Sequence, residues 1–153
     1  MEESEFNDYL AWAVTDYADE LLRNTGVGEA EARRHAQRSF DEAIPMGLAT
    51  PGHWFFSAAD AECGEHVGLL WIARQQRGAL SVIWIFDIWV DEPMRGHGYG
   101  RALMELAHEE AARQGADRIE LNVYGDNERA RHLYESLGYV EMSRQMVKVL
   151  DKD

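Results

Sequence analysis

Apolar residues recur at helical spacing near the start of the chain, with acidic residues on the opposite face. The apolar positions are Phe6, Leu10, Ala13, Val14, Tyr17, Ala18, Leu21 and Leu22. Their spacing predicts a first helix that stops at Asn24-Thr25-Gly26, because glycine readily ends a helix in the left-handed conformation. A second helix is predicted from Glu29 to about Ala43, before Pro45, and a loop over 46–52.

Three segments rich in aromatic and branched aliphatic residues follow this loop and predict strands. They cover His53–Ala58, His66–Gln75 and Ala79–Val90. The breaks between them, at 60–64 and 77–78, are short enough for hairpins. The three strands are therefore expected to be antiparallel neighbours in one sheet.

The second half of the chain alternates helical and strand patterns. Helices are predicted at about Gly98–Gln114 and Asn127–Leu137, each closed by a glycine, and strands at Ile119–Val123 and Met142–Leu150. A helix between two neighbouring strands requires a parallel crossover. The predicted fold is α/β, with order α-α-β-β-β-α-β-α-β. Its central sheet is mixed, antiparallel in the first strands and parallel in the middle, and flanked by helices.

The composition is that of a globular protein. The chain has 153 residues, of which 46% are hydrophobic and 28% charged, and one domain over 1–153 is expected because no repeat or linker interrupts it. Its one cysteine, Cys63, excludes an intrachain disulfide and a cysteine-rich zinc site. The six histidines show no metal-ligand spacing, so no metal is expected.

Charge and hydropathy disfavour several classes of partner. The formal net charge of −13 argues against binding to nucleic acid, which depends on Lys and Arg contacts with phosphate. The same charge favours cationic partners, or serves solubility alone. The acidic start lacks the pattern of a signal peptide, and the longest apolar run, Val82–Val90, is too short to cross a bilayer. A soluble, cytoplasmic protein is expected.

A glycine-rich segment lies between the third predicted strand and the helix that follows it. It reads Arg95, Gly96, His97, Gly98, Tyr99, Gly100 and Arg101. Glycines at alternate positions let the backbone bend tightly at a helix N-terminus, where the amides and the helix dipole favour an anion. A pyrophosphate flanked by the two arginines fits this pattern, and so does a purely structural turn. The spacing matches neither the Rossmann fingerprint nor a P-loop.

A second motif follows downstream. Its residues are Leu121, Asn122, Val123, Asn127, Ala130, Leu133, Tyr134, Gly138 and Tyr139. Together the two motifs resemble the signatures of the GNAT superfamily of N-acetyltransferases, in which an Arg/Gln-x-x-Gly-x-Gly/Ala segment holds the pyrophosphate of CoA. The resemblance runs from about Gly64 to the end of the chain. It implies the GNAT fold and an acyl-CoA-dependent N-acetyltransferase.

The resemblance also implies roles for individual residues. The cofactor-binding set is Ile88, Trp89, Val90, Arg95, Gly96, His97, Gly98, Tyr99, Gly100, Arg101, Asn127 and Tyr134. The end of the third strand would hold the pantetheine arm like an added strand, and Asn127 would contact CoA as well as cap its helix. Tyr134 is implied as the general acid for the leaving thiolate, since a phenol with a pKa of about 10 is protonated at neutral pH. Packing in the core is its alternative role.

The second catalytic candidate, Asp87, comes from the residues rather than from the motif. It interrupts an apolar strand just before the cofactor segment, where an unpaired acid is costly to bury. A general base or substrate anchor fits this position, and so does a hydrogen-bonded or exposed structural acid. His53 is a further candidate for the acceptor cleft. Acids of the first helix suggest a cationic acceptor, or merely the solvated face of an amphipathic helix: Glu2, Glu3, Glu5, Asp8, Asp16, Asp19 and Glu20.

The predicted function is transfer of the acetyl group of acetyl-CoA to a primary amine by direct attack in a ternary complex. One alternative keeps the fold without the chemistry, as an acyl-CoA-binding sensor or regulatory module. A second is an interaction module whose glycine loop is structural, and a third is a donor longer than acetyl. A homodimer is compatible with the resemblance.

Overall fold

The first two helices occupy their predicted positions. A computed structural model describes residues 1–148 and 150 of the chain. Helix α1 spans Glu3–Thr25 and helix α2 spans Glu29–Ala43. Helix α1 ends at Gly26, whose φ of 69° lies in the left-handed region that favours glycine. Both helix predictions at the start of the chain are confirmed.

Within the described residues, four strands form one sheet in the order β1-β2-β3-β4. They are β1 His53–Ala59, β2 His66–Arg77, β3 Leu80–Val90 and β4 Arg118–Leu121. The pairs β1–β2 and β2–β3 are antiparallel, whereas β3–β4 is parallel. The predicted mixed sheet is confirmed.

Two further helices follow β3. Helix α3, Tyr99–Arg113, makes the crossover from β3 to β4, and helix α4 spans Glu128–Ser136. Helix α3 contacts β2, β3 and β4, and its Leu103, Met104 and Ala107 are at most 2% exposed. Strand β2 is buried without interruption from 67 to 73, as expected of a strand covered on both faces.

The final strand predicted at Met142–Leu150 is wrong for the residues that the structure describes. Residues 142–148 and 150 form no strand, and Val149 lies outside the described residues. The prediction rested on apolar side chains spaced along the segment, yet Met146 and Val147 are 86% and 90% exposed. A strand forms only where another strand satisfies its backbone groups, and a hydropathy pattern does not supply that partner.

An aromatic core fixes α1 against the sheet. Its buried members are Phe6, Tyr9, Ala13, Ile44, Phe55, Leu69 and Trp71. The ring of Phe55 meets that of Phe6 edge-on at 4.9 Å and stacks on that of Trp71 at 5.1 Å. Burying each large side chain contributes roughly 1.5–3 kcal/mol. Helix α1 is thereby held where its side chains reach β3.

The chain divides by its internal contacts into two compact units, Met1–Asn122 and a second that begins at Val123. The first contains α1 to β4 and the second contains α4. The prediction of a single domain over 1–153 stays a prediction. Among the described residues, no helix is both long and apolar enough to span a membrane.

Candidate active site

Strand β3 carries a bulge at the position of the candidate base. Trp71 of β2 pairs with Asp87, but the next residue of β2, Ile72, pairs with Ile85, so Phe86 is an extra residue in β3. The Phe86 ring stacks on Trp71 at 4.3 Å and 13°. A bulge re-aims the side chains beside it, which is why bulges are frequent next to active sites.

Beyond the bulge, β3 keeps one neighbour and loses the other. Its parallel pairing with β4 ends at Ile85–Leu121, whereas its antiparallel pairing with β2 continues to Val90–Gly68. In the described part of the chain, one edge of 86–90 therefore lies outside the ladder. Peptide groups on such an edge can pair with an extended ligand. The predicted cofactor segment, Ile88 to Val90, lies on this edge.

The backbones of β2 and β3 approach each other closely beside the predicted cofactor segment. A Cβ on Gly68 would lie 2.1 Å from the Trp89 carbonyl oxygen and 3.2 Å from the Val90 Cα atom. No side chain fits there without moving β3. Gly68 was not singled out in the sequence, although an isolated glycine within a strand pattern is a signal of close backbone approach.

The glycine-rich segment forms a loop that leads from β3 into α3. A short 3-10 turn, Glu92–Met94, is followed by Gly96 and Gly98 with φ of 85° and 90°. Gly98 is the residue before the first turn of α3, and no side chain of the described residues caps this end of the helix. The first amides of a helix lack partners within the helix and carry the positive end of its dipole. The loop therefore has the geometry of an anion site, with Tyr99, Gly100 and Arg101 in the first turn.

The Arg95 side chain turns back toward β3. Its Nε donates a hydrogen bond to the Val90 carbonyl at 2.9 Å, and its guanidinium carbon lies 4.6 Å from the centre of the Trp89 ring. The sequence predicted that Arg95 neutralises a bound pyrophosphate. In the structure its guanidinium covers the end of the cofactor segment, and its role toward a pyrophosphate stays a prediction. Arg101 is exposed at the start of α3.

Tyr99 ties the start of α3 to the turn between β1 and β2. Its hydroxyl donates to Asp60 Oδ2 at 2.5 Å, and Asp60 also accepts from the backbone N–H groups of Glu62 and Cys63. These hydrogen bonds, led by that of Tyr99, hold the pKa of Asp60 well below its usual range. The hydrogen bond to Asp60 raises the pKa of Tyr99 to about 12. His97, within the loop, places Nδ1 3.2 Å from the carbonyl oxygen of Met94.

Asp87 is partly buried and hydrogen-bonded. The Tyr9 hydroxyl donates to Asp87 Oδ2 at 3.0 Å. Burial raises the pKa of Asp87 to about 6. The carboxylates of Asp16 and Glu20 act in the same direction, whereas the hydrogen bonds from Tyr9 and the Ile88 N–H oppose it. A carboxyl group with this pKa is mostly ionised at pH 7 and able to accept a proton.

A cleft of about 370 Å³ lies between α1 and the end of β3. Its lining includes Tyr9, Trp12, Trp89, Glu5, Asp8 and Asp91. The Trp12 and Trp89 rings are 4.6 Å apart. Aromatic faces and carboxylates both attract cations. Two of the acids predicted on the first helix, Glu5 and Asp8, thus border a cleft whose chemistry suits a cationic ligand.

His53 lies beside the bulge but is poorly suited to act as a base. Its Nδ1 accepts a hydrogen bond from Trp71 Nε1 at 3.0 Å, so the proton of the neutral ring sits on Nε2. Burial lowers the pKa of His53 below its ordinary value. Its ring stacks with Phe55 and Phe86, at 6.4 and 5.6 Å. His53 therefore lies as a neutral ring beside Phe86 and Trp71.

Comparison with known sequences assigns the family. A sequence model described as the acetyltransferase (GNAT) family matches residues 10–139. This chain belongs to the GNAT acetyltransferase family. The match covers both the glycine loop and the motif around Tyr134, and the family predicted from those motifs is confirmed.

Individual relatives agree with this assignment. The GNAT acetyltransferase chain is 31% identical to YycN, an uncharacterized N-acetyltransferase of Bacillus subtilis, over 98% of this chain and 96% of that protein. The crystal structure of YycN superposes with a TM-score of 0.90 at 30% identity, covering 99% and 96% of the two chains. A mycothiol acetyltransferase of Beutenbergia cavernae is 42% identical over 81% of this chain, which spans 46% of that protein.

The second motif of this GNAT acetyltransferase lies in the second unit. Asn127 caps α4, accepting a hydrogen bond from the Ala130 N–H at 3.2 Å. Tyr134 is buried within α4, with its ring 5.8 Å from that of Tyr139. Burial raises the pKa of Tyr139 above its ordinary value, and Tyr134 adds to this effect. The capping role of Asn127 is thus visible, while its contact with CoA stays a prediction.

The structure brings some of the predicted residues together within the first unit. Asp87, Ile88–Val90 and the glycine loop follow one another along β3 and into α3. Sequence reasoning missed Tyr9, which is not among the apolar positions that predicted the first helix. It also missed the extra residue Phe86, because a bulge leaves no mark in an apolar strand.

Proposed function

We propose that this GNAT acetyltransferase transfers the acetyl group of acetyl-CoA to a primary amine by direct attack in a ternary complex. Family members generally take the acetyl group from acetyl-CoA. The observation that carries the proposal is the course of β3. The strand leaves the parallel ladder after Ile85 and leads directly into a glycine loop at the N-terminus of α3.

This course suits a long donor with an anionic end. The amide groups of pantetheine would pair with the free edge at Ile88–Val90, and the pyrophosphate would bind the amides of Gly96 to Gly100. Arg95 and Arg101 would balance its charge. Because Arg95 now donates to the Val90 carbonyl, a donor that uses that carbonyl would displace the guanidinium toward the phosphates.

The reaction needs two proton transfers. The amine nitrogen forms a bond to the thioester carbonyl carbon, and the carbon–sulfur bond breaks. Asp87 takes the proton that the nitrogen sheds, and Tyr134 gives its phenolic proton to the departing thiolate. Solvent then returns a proton to Tyr134 and removes one from Asp87. Alkylammonium groups have a pKa of about 10.4, so an acceptor that arrives as its ammonium form must first release one proton to solvent, which gives the neutral amine that attacks.

The acceptor in this proposal is a cationic amine. The carboxylates of Glu5, Asp8 and Asp91 and the rings of Trp12 and Trp89 border the cleft beside β3. Asp16 and Glu20 lie close enough to Asp87 to raise its pKa. An amine approaching as its ammonium form would be attracted to these carboxylates before it loses its proton.

Thermal unfolding with and without acetyl-CoA tests the donor site, with Gly98→Glu as the disrupting variant. Acetyl-CoA at 100 times its dissociation constant is expected to stabilise the wild type by about 2.7 kcal/mol. For a chain of this size that corresponds to roughly 5–11 °C in Tm. Gly98→Glu is expected to lose the shift, because it places a carboxylate at the anion site.

Gly78→Glu is the matched control. Gly78 lies in the β2–β3 turn with φ of 62° and open space around it, so it shares the backbone strain of Gly98→Glu but not the loop. It is expected to lower Tm and keep the shift. No shift in the wild type would overturn the proposal. A shift without thiol release from a panel of spermidine, kanamycin and a lysine peptide would favour the acyl-CoA sensor.

A further inference from the structure

A hydroxyl on α1 reaches the carboxylate that the proposed chemistry uses as a base. Tyr9 and Asp87 are 78 positions apart in sequence, yet the Tyr9 hydroxyl donates to Asp87 Oδ2 at 3.0 Å. Tyr9 is only 5% exposed and belongs to the aromatic core that fixes α1. The Tyr9 hydroxyl is therefore held in place by the packing of its ring and has little freedom to turn away from Asp87.

The bulge makes this contact possible. Because Phe86 is the extra residue, Phe86 and Asp87 both lie opposite Trp71, and the aromatic ring of Phe86 covers that of Trp71. The carboxylate of Asp87 meets the hydroxyl of Tyr9 on α1. A hydrogen bond to one carboxylate oxygen fixes the plane of the group and thus the direction of the other oxygen.

We propose that Tyr9 is the positioning residue for Asp87, orienting its carboxylate toward the acceptor amine and favouring its ionised form. This inference rests on the proposed function of Asp87 as the general base. Tyr9 also lines the acid- and aromatic-lined cleft. One side chain therefore joins the wall of the acceptor cleft to the base.

The charged groups around Asp87 show why an ionised form needs support. Helix α1 presents Tyr9, Asp16 and Glu20, and both carboxylates oppose ionisation of Asp87, as burial does. Strand β1 presents the neutral His53 near Phe86. Next to Asp87, β2 contributes Trp71, on whose ring Phe40 of α2 packs, and neither carries a charge. The hydrogen bond from the Tyr9 hydroxyl thus favours the ionised form of Asp87, whereas burial and the two carboxylates disfavour it.

A purely structural role for Tyr9 makes a different prediction. Phenylalanine would fill the same core space and lose only the hydroxyl. If the Tyr9–Asp87 hydrogen bond were purely structural, Tyr9→Phe would change stability alone. A positioning residue must also change the titration of Asp87. The pH dependence therefore separates the two roles.

The test follows the side-chain carboxyl of Asp87 by ¹³C NMR against pH, assigned with Asp87→Asn. In Tyr9→Phe the midpoint is expected to rise by about one pH unit from the wild-type value, because a hydrogen bond to the ionised form is lost. The acidic limb of the acetylation rate, read by thiol release with spermidine, is expected to move with it. Tyr17→Phe, on the same helix with its ring against His35 and Phe40, is the matched control and is expected to leave both unchanged.

A second pair of variants covers loss of the ring. Tyr9→Gln keeps a donor and Tyr9→Met removes it at similar size, so the Gln variant is expected to titrate closer to the wild type. An unchanged midpoint in Tyr9→Phe, or equal midpoints in the Gln and Met variants, would overturn the inference. An unchanged rate and pH profile in Asp87→Asn would instead overturn the proposed role of Asp87 as the base. The acetyl-CoA shift in Tm tests the donor site and does not depend on that outcome.

Discussion

The two halves of β3 differ in almost every property that a strand can have. Over 82–85 the strand has a neighbour on each edge, and Val82, Ile83 and Ile85 are at most 4% exposed. Over 86–90 it pairs, among the residues that the structure describes, only with β2. Its side chains there are partly buried or exposed, and it carries an acid. The bulge at Phe86 separates the two halves.

This difference shows how one strand can serve both the core and the site. Backbone groups in the first half are paired within the sheet, so that half contributes stability. Backbone groups on the open edge of the second half have no partner strand within the described part of the chain, so that half can receive a ligand. The bulge interrupts the alternation, which lets Asp87 meet α1 without moving the first half of the strand.

The largest expected effect comes from Gly68, which supports the second half. Gly68→Ala would place a methyl group 2.1 Å from the Trp89 carbonyl oxygen, so β2 and β3 must separate. We expect a loss of about 3 kcal/mol or more in the free energy of unfolding, with loss of the acetyl-CoA shift. Urea unfolding measures the first and thermal unfolding the second. Gly125→Ala, with open space around it, is the control and should stay within about 0.5 kcal/mol of the wild type.

A pair of isoleucine variants compares the halves directly. Ile83→Ala removes a side chain that is 0% exposed and is expected to cost about 3 kcal/mol, with the acetyl-CoA shift retained. Ile88→Ala, in the partly buried half, is expected to cost about 1 kcal/mol and to reduce the shift. Urea unfolding and acetyl-CoA titration of both variants measure these effects. Equal stability losses would contradict the division of the strand.

The charge on the second half gives a test by pH. Burial raises the pKa of Asp87 from its ordinary value of 3.8 to about 6, so its ionisation costs stability; this cost grows from about pH 4 to about pH 6 and is constant above. The proposed activity requires the ionised form. We expect the wild-type rate to fall about tenfold per unit below pH 6, while the contribution of Asp87 to stability rises as the pH falls from 7 toward 4.

Asp87→Asn removes the titrating group, and with it the pH dependence of the rate near pH 6 and the pH-dependent contribution of Asp87 to stability. It is expected to lower kcat/KM about 100-fold at pH 7 and to leave stability at that pH unchanged or slightly higher, because a buried charge is lost. Stopped assays across pH 5–8 and urea unfolding at pH 7 measure the two effects. A retained inflection near pH 6 in the variant would assign the titration to another group.

Local patterns predicted most elements but not the contacts between them. The stop of α1 at Gly26 and the cap of α4 by Asn127 depend on residues within one turn, so a sequence pattern can find them. The prediction of the final strand was wrong because strand pairing depends on a distant partner. The bulge at Phe86 was missed for the same reason, since the register of β2 and β3 is a property of both strands.

The sequence by itself determined the class of fold, the family and the order in which strand, glycine loop and helix follow one another. These are local features, carried by periodicity, by glycines and by two motifs. Only the tertiary structure decided that Asp87 meets Tyr9, that Arg95 covers the Val90 carbonyl and that Gly68 admits no side chain. Those facts depend on distances between segments far apart in the chain, and packing of the whole core sets such distances.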